Sequence, residues 1–280
     1  MCGRFGFIYP SAEDWAEAIA DLPYTAKFQE SYEREFAKLS SRTNIAPTQT
    51  VLTIVYSEKE QSHLVVPMRW GWEPVWMKYG QLHNANFQTV MNPSKSTWKK
   101  DLISRRCIIP ASFFYDWQKR DDGTKVPWKI ERADGKLLLF AGLYQYEPIR
   151  KNPDEKVLTT AVITYHGNKL MQMLNNDEPP GTQTVFLEPN QIGLWLDPKL
   201  QDPMDIATLV RQYREDEIKV TPLLAVGNDK SGAGPMERDW IDPYDVKTPY
   251  YAEPIDTRYQ KPKPSKIAKS PKKPEKSSQK

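Results

Sequence analysis

A chain of 280 residues that is 39% hydrophobic and 27% charged holds enough apolar surface to bury a core. No apolar run approaches the roughly 18–20 residues that cross a bilayer as a helix, and two cysteines, Cys2 and Cys107, exclude a disulfide framework. The net charge of +3 conceals a split: the last 22 residues, from Tyr259, hold eight Lys and one Glu, a local +7 that leaves residues 1–258 at −4 and counts against a protein coating nucleic acid through a global positive field.

In chain order, the N-terminus MCGRFGFIYP has no long apolar h-region after its basic residue, so the expected setting is cytoplasmic. Ser11 with Asp14 forms a capping box, and Trp15, Ile19 and Leu22 follow at helical spacing. TVLTIVY (50–56) and HLVVPMRW (63–70) are strand-like, being rich in β-branched residues. A short helix is expected around Ser94–Ser104. A hairpin is expected over residues 126–144, with Asp134-Gly135 as its turn. Strands follow at 156–165 and 182–188, and short helices at Asn168–Leu174, Gln191–Leu196 and Asp205–Arg214. The pattern predicts an α+β fold with a mainly antiparallel sheet, one domain over residues 1–255. The Lys/Pro/Ser-rich segment 256–280 is expected to be a disordered basic tail, a solubilising end or a weak tether to nucleic acid.

Cys2 carries the chemistry. A small side chain at position 2 permits removal of Met1, which leaves a free α-amine and a thiol on adjacent carbons. The amine, with a pKa of about 7.7–8.0, is partly neutral at pH 7. Such an aminothiol condenses with an aldehyde to an imine that the sulfur closes to a thiazolidine. It can equally act as an acyl-transfer nucleophile with its own amine as base. Gly3 permits close backbone approach, and Arg4 brings a guanidinium suited to phosphate.

The class II glutamine amidotransferases also begin Met-Cys-Gly, but an Arg-Gly-Pro-Asp type loop is not found here. The blocks MCGRFG (1–6), NIAPTQT (44–50), MRWGW (68–72), NAN (84–86), RRCIIPASFFYDWQ (105–118) and FAGLY (140–144) occur in the order and spacing of another family. On these blocks the sequence resembles the SRAP family (SOS response-associated peptidase), proteins that crosslink to abasic DNA. The resemblance runs from residue 1 to about 190, and more weakly to about 225.

The resemblance implies an α+β domain with sheets curled into a barrel-like core and a groove for single-stranded DNA. It implies that Cys2 forms the thiazolidine, that Arg4 holds a flanking phosphate, and that Asn84 bonds the sugar or Cys2. Pro47, Trp70 and Trp117 fall at wall positions, where either tryptophan stacks on a base or packs in the core. Asp116 stands where the family usually has Glu, one methylene shorter, as the proton shuttle. Asn175 stands at the position of a catalytic His and cannot titrate. Asp177 and Asn86 replace arginines, and Gln88 replaces a frequent Glu. Fewer phosphate contacts and a reduced acid/base set mark a divergent member.

Of the three histidines, His83 adjoins Asn84 but is expected to face away from it, His63 is expected to be solvated, and His166 has no implied role. Cys107 reads as an inert core thiol. No cofactor and no metal are expected, and the partner is single-stranded DNA with an abasic site, bound by a monomer. The expected activity is crosslinking to that site, with self-processing at Met1-Cys2. Noncovalent DNA binding and amidotransferase-like hydrolysis are the alternatives.

Overall fold

The chain crosses between two sheets four times, and these crossings decide which residues reach Cys2. The computed structural model describes residues 2–38, 40–92, 94, 97–176, 181–227 and 234–247. Segment 256–280 and Asp177 therefore lie outside the described residues.

Strand β1 (Arg4–Phe7) leads into α1 (Ala12–Ala18), where the Ser11 hydroxyl accepts from the Asp14 N–H as the capping box requires. Helix α2 (Ala26–Phe36), capped by Thr25, precedes β2 (Arg42–Ile45). The chain then enters the second sheet through β3 (Thr50–Ser57), β4 (Ser62–Trp70) and the short β5 (Asn84–Asn86). Helices α3 (Phe87–Met91) and α4 (Lys99–Ser104) lead to β6 (Arg106–Ala111). After Ser112 the chain returns to the first sheet as β7 (Phe113–Lys119) and β8 (Lys125–Arg132). It crosses again to β9 (Leu138–Ile149) and β10 (Asn152–His166). Helix α5 (Lys169–Leu174), β11 (Thr182–Thr184) and β12 (Phe186–Leu187) follow. Helices α6 (Ile192–Leu196) and α7 (Pro203–Ala207) precede β13 (Ile218–Ala225) and β14 (Met236–Glu237) in the first sheet.

The first sheet runs β14-β13-β8-β7-β1-β2 and is antiparallel. In the second, β4-β3-β6-β9-β10 closes on itself, because β10 pairs antiparallel with β9 and parallel with β4 (Thr159 beside Arg69, Thr160 beside Trp70). The fold is thus α+β, a half-barrel against a closed barrel, as expected. Aromatic rings fill the space between them: Phe5 of β1 meets Trp70 edge-on at 4.9 Å and Phe140 at 6.0 Å, and Phe114 meets Phe140 at 5.9 Å.

Three expectations need correction. The turn at Asp134-Gly135 forms, with Gly135 at φ 75°, but β8 and β9 do not pair with each other. Both edges of β8 are taken by β7 and β13, and Arg132, forked onto Asp134 and Glu188, anchors the crossing. The helix expected over 205–214 stops at Ala207, and residues 209–214 run irregularly to β13. His63 is buried, its ring edge-on to Tyr56 at 5.3 Å, rather than solvated. Cys107 is a core thiol as read, pushed up to about 12 by burial. No helix among the described residues is long and apolar enough to cross a membrane.

Candidate functional site around Cys2

Cys2 sits just ahead of β1, with 1% of its surface exposed, and its thiol points back at the Arg4 carbonyl, 3.7 Å away. Burial, then the negative charge of Asp116, pushes the thiol up to about 12, so sulfur is held as S–H. The Asn84 side-chain amide donates to the Cys2 carbonyl at 2.8 Å, and its own Oδ1 is buried without a hydrogen-bond partner. Residues 2 and 84 meet because β5 is laid beside β10 in parallel, Asn84 opposite Val162 and Asn86 opposite Thr164.

Asp116 comes from β7, and period-2 geometry turns it inward with Phe114 and Gln118. It is 4% exposed, and its Oδ1 accepts from the Trp117 N–H at 3.0 Å. The same alternation turns Trp117 to the opposite face, half-buried against Tyr115. Arg4 is opposite Tyr115 in the β1–β7 ladder and shares that outer face. Its guanidinium donates to Asn44 Oδ1 at 2.8 Å, and Asn44 donates to the Gly227 carbonyl at 2.8 Å.

The other expected positions behave differently. Trp70 is fully buried between Phe5 and His83, with its indole N–H on the His83 carbonyl at 3.0 Å, so it has no face left for a base. Of the two readings of Trp70, its burial fits core packing. Asn86 caps α3, its Oδ1 accepting from the Thr89 N–H at 3.2 Å, a local duty in place of a phosphate contact. Asn175 ends α5 and donates to the Thr182 carbonyl at 3.4 Å. Pro47 lies in a turn closed by the Gln49 N–H on the Ala46 carbonyl, with Thr48 strained at φ 81°. His83 packs edge-on against Trp70, and burial lowers its pKa. Gln88 pairs with the exposed His166.

Three residues of this site carry no signal in the linear pattern. Thr164 of β10 pairs with Thr184 of β11, which puts both hydroxyls on the face of β10 that also carries Asn86. Both are buried, and the Thr184 hydroxyl has the Tyr213 hydroxyl as its polar neighbour. Tyr213, 2% exposed, follows α7 and stacks on Phe186 at 4.8 Å. Its ionisation is disfavoured first by burial and then by Asp116, with a smaller contribution from Cys2. Cys2, Asp116 and Tyr213 are therefore within electrostatic range of one another. A cluster of polar atoms left unpaired inside a fold is costly, typically 1–3 kcal/mol each. Among the described residues no three His, Cys, Asp or Glu side chains are grouped to hold a metal ion.

Comparison with known proteins places the chain in a family. The protein is 30% identical over 242 residues to abasic site processing protein YoqW of Bacillus subtilis (strain 168), covering 84% of this chain and 97% of that one. It is 29% identical over 234 residues to abasic site processing protein YoaM of the same organism, covering 81% and 93%. A solved structure of a phage-related protein from Bordetella bronchiseptica superposes with a TM-score of 0.60 at 21% identity, over 84% of this chain and all of that one, which shows a shared fold. The family described as SOS response associated peptidase (SRAP) matches residues 1–228, and the chain belongs to it.

Proposed function

We propose that this protein processes abasic sites in single-stranded DNA, in the DNA damage response, by closing a thiazolidine between Cys2 and the sugar aldehyde. The observation that carries the reading is a buried Cys2 whose carbonyl is held by the Asn84 side chain and whose thiol lies in the field of the Asp116 carboxylate. The names of the relatives, abasic site processing proteins, support the substrate class.

After removal of Met1 the Cys2 amine is the first nucleophile, since the thiol is held as S–H. The amine adds to the C1′ aldehyde of the ring-opened sugar to give a carbinolamine. Loss of water then gives the imine. The thiol adds across the C=N bond: sulfur bonds to C1′, and its proton passes by way of Asp116 to nitrogen. One water is lost overall, with no redox change. The hydrogen bond from Asn84 fixes the Cys2 backbone so that amine and thiol stay on the same side of the incoming carbon.

Arg4 and Trp117, on one outer face, would take a phosphate and a base flanking the lesion. The loop after Trp72, which returns to Leu82 just ahead of Asn84, adds the exposed rings of Trp76 and Tyr79 as stacking surfaces. Residues 1–255 are the working domain in this reading, and 256–280 a basic tail.

The test is intact-mass measurement after incubation with single-stranded DNA carrying one abasic site. The reading expects a species at protein minus Met plus DNA minus water, lost in Cys2→Ala. Gel shifts that vanish in detergent, with no mass adduct, would leave noncovalent binding alone.

A further inference from the structure

The loop that carries Trp76 and Tyr79 is held by polar contacts in place of apolar burial. Its ends are joined by the Trp72–Leu82 bridge, whose N–H groups donate to each other's carbonyls at 3.1 and 2.8 Å. Between them Val75, Trp76 and Tyr79 are 52%, 63% and 76% exposed. Trp76 meets Trp72 edge-on at 6.2 Å, and Lys78 lies over the Tyr79 ring at 5.3 Å. Rings this exposed bury too little surface to order the chain that bears them.

The order comes from Arg150, in the turn between β9 and β10. Its Nη1 donates to the Met77 carbonyl at 2.8 Å and to the Gly80 carbonyl at 3.4 Å, the two carbonyls that flank Lys78-Tyr79. Its Nη2 lies 3.6 Å from the Glu73 carboxylate, and its backbone N–H donates to the Glu73 carbonyl at 2.7 Å. Glu73, 4% exposed, also accepts from Arg69 Nη2 at 2.5 Å, and Arg69 Nη1 donates to the Thr48 carbonyl at 2.7 Å. One buried carboxylate thus ties together the Pro47-Thr48 turn, the aromatic loop and the β9–β10 turn. The loop then runs through Leu82 and His83 to Asn84, which holds the Cys2 carbonyl. The His83 carbonyl accepts from the Trp70 indole N–H and from the Val162 N–H, both at 3.0 Å. The two rings and the nucleophile are therefore fixed to one frame.

We propose that Arg150 is a positioning residue for the DNA strand: by clamping the Met77 and Gly80 carbonyls it sets Trp76 and Tyr79 in their stacking posture before the strand arrives. Glu73 and Arg69 hold the clamp. The inference rests on the reading above that these two rings stack on bases. Arg150 itself touches no DNA. It acts on the cost of ordering, since a loop already in its bound shape loses little freedom on binding, whereas a released loop must be ordered by the strand. Lysine does not replace it, because one ammonium lacks the planar fork that spans two carbonyls and a carboxylate. Removing Arg150 leaves Glu73 paired with Arg69, so a neutral variant strands no buried charge.

The test is fluorescence anisotropy of the full-length protein on a labelled single strand carrying a tetrahydrofuran site. The variants are Arg150→Met, Arg150→Lys, Trp76→Ala with Tyr79→Ala, and that aromatic pair combined with Arg150→Met. The aromatic pair should bind at least about 10-fold more weakly than wild type. Arg150→Met should bind about 5- to 50-fold more weakly, with the slope of log affinity against log salt unchanged, and Arg150→Lys nearly as weakly. In the aromatic-pair background Arg150→Met should add less than about twofold, because the clamp has no rings left to hold. A slope reduced by about 1, or full affinity in Arg150→Lys, would make Arg150 a phosphate contact and overturns the proposal. Wild-type affinity in Arg150→Met overturns it, as do equal losses in both backgrounds, which are what a general loosening of the fold produces. If the aromatic pair binds as wild type does, the stacking reading itself fails and this inference falls with it.

Discussion

The Asn84 side chain holds the Cys2 carbonyl at 2.8 Å across 82 residues of sequence, tying the barrel to the start of the first sheet. Because that bond fixes the backbone that carries both amine and thiol, Asn84→Ala should slow adduct formation by about 10- to 100-fold, by loosening the near-attack geometry. Melting temperature should fall only as far as one hydrogen bond worth about 1 kcal/mol allows. Single-turnover kinetics alongside thermal denaturation check both halves.

Asp116 is the second cause, after burial, of the raised Cys2 thiol. Its negative charge disfavours the thiolate, so Asp116→Asn should let thiolate appear at lower pH while burial still holds it above the ordinary range. The thiolate absorbance in pH titrations of the two proteins measures this, and Cys107 cancels in the difference. Adduct formation should nonetheless slow, because the thiol proton loses its acceptor on the way to nitrogen.

Arg4 would supply a phosphate contact from the same face as Trp117. Arg4→Ala should weaken binding to single-stranded DNA of any sequence and reduce the slope of log affinity against log salt by about 1. Fluorescence anisotropy across a salt series is the measurement. A changed affinity with an unchanged slope would assign Arg4 to supporting Asn44 instead.

Away from the site, Asp101 is 3% exposed, bonded to Gln145 and Arg105, and burial raises its pKa to about 6. A carboxyl whose folded pKa exceeds its unfolded value binds more protons when folded. Its contribution therefore favours the folded state at low pH and is lost as pH rises through the interval up to about 6. Wild type and Asp101→Asn should differ by a stability term that changes across that interval and is flat above it. Urea denaturation of both proteins in steps from pH 4 to pH 7 reads the difference directly.

Local chemistry was readable where a residue acts on its own neighbours. Ser11 caps its helix as the pattern indicates, the short helix expected from Asn168 forms, and the β-branched run 50–56 is a strand. The identities of Cys2 and Asn84 at the site came from motif blocks, and the pairing of β5 with β10 explains their meeting. What stayed hidden depends on which strand lies beside which. Thr164 and Thr184 look like ordinary strand residues until β10 and β11 pair them. Tyr213 fell in a stretch with helical spacing, which tertiary packing on Phe186 overrode. Trp70 and Asp134-Gly135 mislead for the same reason: exposure and pairing are properties of the assembled sheets, and a strand with two occupied edges cannot accept its nearest neighbour in sequence.

The alternation of the chain between two sheets also sets a clock on the protein's maturation. Cys2 meets Asn84 of β5 and the charge of Asp116 of β7 only when strands from the middle of the chain have joined it, and its own sheet is complete only with β13. At about 5–20 residues per second, synthesis leaves the N-terminus uncovered for roughly 10–45 s before residue 225 emerges. An aminopeptidase must grip the Met1-Cys2 peptide bond in the open, and in the finished fold Cys2 is 1% exposed. In the reading proposed above, trimming of the initiator residue would then be an act on the growing chain. A copy that escaped it would keep its Cys2 amine blocked and be silent toward an aldehyde.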